Sequence, residues 1–150
     1  LKNHEHKEQV ALFTWANIQA KSLPELELLF AIPNGGHRHP LTAKKLKAEG
    51  VKSGVPDICL PIAKNGFHGL WIELKRPNIK GEPKGKVSDN QTWWIEALKL
   101  AGSQVHVCFG WDEAKKAIIT YMLSYYTGHP SNPIVCFMLP DFSSLCLSLE

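Results

Sequence analysis

Apolar and polar positions repeat along this chain with two different periods, and the changes between them mark its elements. Val10, Phe13 and Ile18, with Leu12 and Ala16 nearby, recur at three-to-four spacing and predict a helix over residues 4–21, capped by Asn3 and ended before Pro24. Residues 26–32 are apolar enough for a buried first strand, and residues 33–40, dense in Gly and Pro, form a loop. A short basic helix over 42–49 follows, closed by Gly50. Two apolar runs, 57–62 and 70–75, flank Asn65-Gly66 and predict a hairpin. Residues 76–87 hold two Pro, two Gly and four Lys or Arg, which makes them a basic loop. Ser88 then caps a helix over 89–101 that turns Trp94, Ile95, Ala97 and Leu98 inward and stops at Gly102. Residues 104–109 alternate as a strand, and residues 112–124 form a helix with an apolar stripe of Ala117, Ile118, Tyr121 and Met122. The order α-β-α-β-β-α-β-α predicts an α/β fold, a mixed sheet flanked by helices.

The hairpin carries a constraint of parity. Side chains two apart on a strand share a face, so Glu73 and Lys75 project together while Leu74 points away. Asp57 joins them only if opposed residues of the two strands sum to an even number. A bare two-residue turn at Asn65-Gly66 would pair 64 with 67, an odd sum, and turn Asp57 to the other face. Convergence of Asp57, Glu73 and Lys75 therefore requires a connection of odd length or a bulge.

After Tyr126 the periodic pattern lapses apart from an apolar run at 134–139, so residues 1–127 form one domain and 128–150 an appendage whose role the sequence does not assign. A hydrophobic fraction of 44% and five tryptophans place the chain among globular proteins. The net charge of +3 is too small to argue for a polyanionic partner by itself. Cys59, Cys108, Cys136 and Cys146 show no paired spacing. They read as free thiols, the first two of them buried, and favour a reducing, intracellular compartment. No run is long enough to span a membrane, no secretory signal pattern opens the chain, and no motif calls for a small-molecule cofactor.

Two carboxylates beside a lysine suit a hard cation, which takes oxygen ligands and keeps several waters. Asp57 and Glu73 supply the acids, and the Leu74 backbone carbonyl a third oxygen. Glu8 on the first helix supplies another, directly or through water. Lys75 is placed to orient water and stabilise developing charge, and Gln91 to hydrogen-bond water or phosphate. His37 and His39, like His4 and His6, raise zinc, but no cysteine pair has zinc spacing. Of the adjacent Trp93 and Trp94, a helix can bury only one on a narrow stripe; the other is left for a dimer contact or for base stacking.

The stretches AIPNGGHR, LKAEGVKSGVPDI, HGLWIELKRP, VSDNQTWWIEAL and VCFGWDEAKKAI together resemble a stand-alone, phage-type VRR-NUC domain of the PD-(D/E)xK nuclease superfamily, over about residues 8–121. The resemblance implies a restriction-endonuclease-like fold and Mg²⁺-dependent phosphodiester cleavage of branched duplex DNA, with Mn²⁺ substituting. It also implies a homodimer that resolves four-way junctions. By position, Asp57 and Glu73 correspond to the metal-binding acids, Lys75 to the motif lysine and Gln91 to the glutamine after it. Glu8 corresponds to the helix-one glutamate, with Glu5 as the alternative. Arg38, Lys44, Lys45, Lys47 and Lys52 before the motif, and Arg76, Lys80, Lys84 and Lys86 after it, then become candidate phosphate contacts. A monomeric flap or nicking nuclease, and a catalytically silent DNA-binding module, are the competing readings.

Overall fold

A computed structural model of the chain describes residues 2–33, 40–78 and 85–123. Arg38, Lys80, Lys84, His37, His39 and the appendage 128–150 lie outside the described residues. Helix α1 (Lys2–Gln19) leads through a 3-10 turn (Pro24–Leu28) to β1 (Phe30–Ala31). Helix α2 (Pro40–Ala48), β2 (Ile58–Leu60), β3 (Leu70–Lys75), α3 (Asp89–Leu100), β4 (Gln104–Phe109) and α4 (Trp111–Leu123) follow. The element order is the expected one. The sheet runs β1-β2-β3-β4, antiparallel through the first three strands and parallel between β3 and β4, which α3 connects.

The two faces of the sheet have different work. Ile58, Leu60, Leu70, Ile72 and Leu74, all even-numbered, join Leu12, Trp15 and Ala16 of α1 and Ala114, Ile118, Tyr121 and Met122 of α4 in one buried cluster. The odd-numbered side chains of β3, Glu73 and Lys75 among them, face the other way, toward α3. Burial of the apolar face drives the fold; the opposite face sets Glu73 and Lys75 among the apolar Cys59, Trp71, Val105, Val107 and Phe109.

Two local expectations need correction. The first helix starts at Lys2, so Asn3 lies inside it rather than capping it. Its buried stripe is Leu12, Trp15 and Ala16, while Val10 and Ile18 are 51% and 61% exposed. The expected strand over 26–32 shrinks to Phe30–Ala31. Pro24 at the start and Glu25 and Glu27 in the first turn favour a helical turn, and Leu26 and Leu29, three apart, are the residues it buries. The short basic helix ends as expected: the Gly50 N–H donates to the Lys47 carbonyl at 3.2 Å and the Val51 N–H to the Leu46 carbonyl at 2.9 Å, with Gly50 at φ +94°.

The hairpin meets the parity condition. Its pairs are Ile58↔Ile72, Cys59↔Trp71 and Leu60↔Leu70, all even sums. At the tip, Asn65 and Gly66 do form a two-residue turn (φ +55° and +80°), with Lys64 bridged to Phe67, an odd sum. Three residues (61–63) separate Leu60 from Lys64, but only two (68–69) separate Phe67 from Leu70. That extra residue is the bulge, and it restores the register that brings Asp57 opposite Glu73.

The loop ahead of Asp57 is clamped to α3. Gly54 sits at φ +87°, and a Cβ there would stand 2.8 Å from backbone and side-chain atoms of Asn90. The Trp94 indole N–H also donates to the Ser53 carbonyl at 3.1 Å. Gly54→Ala should therefore cost about 2 kcal/mol or more from the left-handed backbone and the displaced helix start. A denaturant midpoint unchanged from the parent would show that the clamp is slack.

Candidate active site

Asp57, Glu73, Lys75 and Gln91 converge as expected, on the odd face of β3 and the first turn of α3. They line an open cleft of about 230 Å³, together with Glu5, Ser88 and the Leu74 backbone among others. Asp57 leaves the buried Pro56 and points Oδ2 at the Leu74 N–H, which donates to it at 2.9 Å. Lys75 Nζ lies 2.8 Å from Glu73 Oε1 and donates to Gln91 Oε1 at 3.1 Å. The Gln91 amide nitrogen in turn donates to Glu73 Oε1. Glutamine is fixed here by the way α3 begins. Ser88 and Gln91 form a reciprocal capping box, in which the Ser88 N–H donates to Gln91 Oε1 at 2.9 Å and the Gln91 N–H to Ser88 Oγ at 3.4 Å. One side-chain oxygen thus serves both the helix start and the lysine.

Glu73 is the anomalous group. It is 1% exposed, and no donor reaches its buried Oε2. Burial, followed by the neighbouring Asp57, pushes its carboxyl up to about 7, although the hydrogen bond and charge of Lys75 pull the other way. Burial likewise raises Asp57, where the Leu74 N–H and Lys75 oppose the rise and Glu5 adds to it. Two acids held close in the cleft, one of them with a buried oxygen that no donor reaches, are short of positive charge, and Lys75 alone does not supply it. Such a donor set fits a divalent cation. Among the described residues no group of three or more His, Cys, Asp or Glu is placed to hold a metal ion, so Asp57 and Glu73 stand as a pair of direct side-chain ligands.

The helix-one acid is where the structure departs from expectation. Glu8 does not line the cleft; its Oε2 accepts from the Trp111 N–H at 2.8 Å, at the start of α4. Glu5, one turn earlier, lines the cleft and acts on Asp57. Arg76, expected as a phosphate contact, is buried (9% exposed), although the chain is half-buried at Pro77 and exposed again at Asn78. Lys44, Lys45, Lys47, Lys52 and Lys86 are exposed. Gly85, which sequence reasoning passed over, brings its backbone against the lysine stem; a Cβ there would meet Lys75 Cβ at 3.2 Å. The tryptophan pair divides only in part as expected: Trp93 is 64% exposed, but Trp94 is half-buried rather than in the core, and Ile95 is the buried residue of α3. Cys59 and Cys108 are buried free thiols, pushed by burial up to about 11 and about 12.

The VRR-NUC domain model matches residues 3–112, most of the chain and every residue of the cleft. The chain belongs to the VRR-NUC domain family. A solved structure described as a VRR_NUC domain protein is similar to it at 29% identity and a TM-score of 0.66, covering 79% of this chain and 88% of that one. No curated protein matches the sequence. Membership in the VRR-NUC family gives the chain a nuclease-type function, a hydrolase acting on DNA. No helix among the described residues of this VRR-NUC domain is long and apolar enough to cross a membrane.

Proposed function

We propose that this VRR-NUC domain is a Mg²⁺- or Mn²⁺-dependent endodeoxyribonuclease that cuts branched duplex DNA, four-way junctions among them, as a homodimer. The observation that carries the metal dependence is the buried Glu73 Oε2, left without a donor beside a second acid. Asp57 and Glu73 are the residues that would hold the ion, with the Leu74 carbonyl; the Glu5 carboxylate at the cleft wall, in place of Glu8, would reach it through water. A pair of carboxylates leaves room for the waters that Mg²⁺ retains. The bound ion would supply Lewis acidity toward a phosphoryl oxygen and lower the pKa of water.

The chain's own groups do the rest. Lys75, held between Glu73 and Gln91, keeps its ammonium at the cleft, where it stabilises charge developing on the phosphate. Gln91 holds that lysine and presents a side-chain amide to water or phosphate. Lys44, Lys45 and Lys47 on α2, with Lys52 and Lys86 on either side of the cleft, contact the DNA backbone without reading bases. A single acid-lysine cleft cuts one strand at a time, so paired cuts at a junction need two domains.

One gel tests this. Linear, flap, splayed and four-way substrates are incubated with Mg²⁺, Mn²⁺ or EDTA, and sedimentation is run with and without the junction. Expected are symmetric nicks in the four-way substrate with either metal, none in EDTA, and a dimer on the junction. Flap cleavage by a monomer would replace the junction reading. Junction binding without cleavage in any metal would make the chain a silent binding module.

A further inference from the structure

Glu8 takes no part in the cleft, yet it sits one turn from the residue of α1 that does. We infer that Glu8 is a positioning residue: by tying α1 to the start of α4, it holds Glu5 at the cleft. The inference rests on the reading of Glu5 as an acidic ligand through water given above.

Glu5 and Glu8 are three apart and share a face of α1. Ahead of Leu12, the first fully buried residue of the helix, residues 4–7 are all exposed. Apolar packing therefore does little to place the turn that carries Glu5. The Glu8 carboxylate does more, because its acceptor role is met by a well-fixed donor. The Trp111 N–H, 2.8 Å away, is one of the amides that a helix start leaves unsatisfied, and a carboxylate there also meets the positive end of the α4 dipole. The neighbouring Gly110 donates its N–H to the Lys75 carbonyl at 2.9 Å. A Cβ on Gly110 would stand 3.3 Å from Pro77 Cβ and 3.4 Å from Glu8 Oε2. Glu8 is thus seated in the β4–α4 turn, against the end of the strand that carries Glu73 and Lys75. The tie runs from one wall of the cleft to the other through backbone, which is stiff.

A tie that served stability alone would lower the melting temperature and leave ion binding intact. The test measures Mn²⁺ binding by electron paramagnetic resonance on the full chain, with hydrogen exchange of α1 as a second readout. Glu8→Ala and Glu8→Met, made together in case one folds poorly, should weaken Mn²⁺ about tenfold, the low end of what lost supports around a metal site cost. Exchange in the first turns of α1 should rise. Glu8→Gln, whose amide oxygen still accepts from Trp111, should stay within about twofold of the parent, well short of that loss. Glu5→Gln should weaken Mn²⁺, and the double variant Glu5→Gln/Glu8→Ala should be no weaker than Glu5→Gln alone. Parental Mn²⁺ affinity in Glu8→Ala and Glu8→Met, or multiplying effects in the double variant, overturns the inference and leaves the role of Glu5 standing. Parental affinity in Glu5→Gln removes the ligand reading and the inference with it.

Discussion

Lys75→Met should lower the rate of DNA cleavage by about 10²–10³-fold, the range seen when one donor to a developing oxyanion is removed. Methionine is the informative replacement because it keeps the stem that packs under Gly85, where contacts to Lys75 Cβ, Cδ and Cγ would be 3.2, 3.5 and 3.6 Å from an added Cβ. The loss then reports the ammonium, not a collapsed wall. Single-turnover cleavage of a junction at saturating Mg²⁺, alongside a melting curve, separates the two. Activity within about threefold of the parent would leave Lys75 an ion-pair partner of Glu73 and nothing more, since one catalytic donor is worth at least a hundredfold. Lys75→Arg should not rescue: a planar guanidinium cannot reproduce the point contact that spans Glu73 Oε1 and Gln91 Oε1.

Without divalent ions, the folded domain should become less stable as pH rises from about 4.5 to about 7, the interval set by Glu73. The sign follows from proton counting. The unfolded chain releases the Glu73 proton near 4.5, whereas the folded chain holds it to about 7. Between those values the folded state binds more protons, so each step up in pH favours unfolding, and the loss levels off above the upper value. At 1.36 kcal/mol per unit the total is about 3 kcal/mol. Asp57, raised in the same direction, adds to it. Mg²⁺ or Mn²⁺ near neutral pH should reverse the loss by mass action, by about 2.7 kcal/mol at a hundred times the dissociation constant. Glu73→Gln should flatten the pH profile and remove most of the metal response. A melting temperature that is level from pH 5 to 8 in EDTA, or indifferent to metal at pH 7.5, would count against a charge-deficient acid pair.

Much of this arrangement could be read from residue order. The positions of Asp57, Asn65-Gly66, Glu73 and Lys75, with the parity of two strands, are enough to demand an irregular connection, because the side-chain period of a strand is an integer. Helical faces were less legible. Val10 and Ile18 look as apolar as Leu12 and Ala16, and only packing against α4 decides which pair is buried. The first strand was overread because Leu26, Leu28 and Phe30 suit either period, while Leu26 and Leu29 turn out to be the buried ones. The sequence favours Glu8 over Glu5 by position, and the cleft holds Glu5 instead; both lie on one face of one helix, so periodicity does not separate them. What distinguishes them is an amide of Trp111, far away in the chain, that captures Glu8. Arg76 misleads for a related reason: its neighbours in sequence are basic and loop-like, but the residue itself is buried at the end of β3.

The bulge at 61–63 gives the β2–β3 connection an arithmetic of its own. Its length can change by two residues without altering which face Asp57 presents. A change of one swaps the aspartate with the neighbouring isoleucine, so that an acid enters the apolar layer and Ile58 enters the cleft. The tip of this hairpin, exposed at Gly66 and Phe67, is distant from any chemistry, the kind of place where insertions are ordinarily harmless. Here a single added or lost residue is a frameshift in the geometric sense, and it is read out at the far end of the strand.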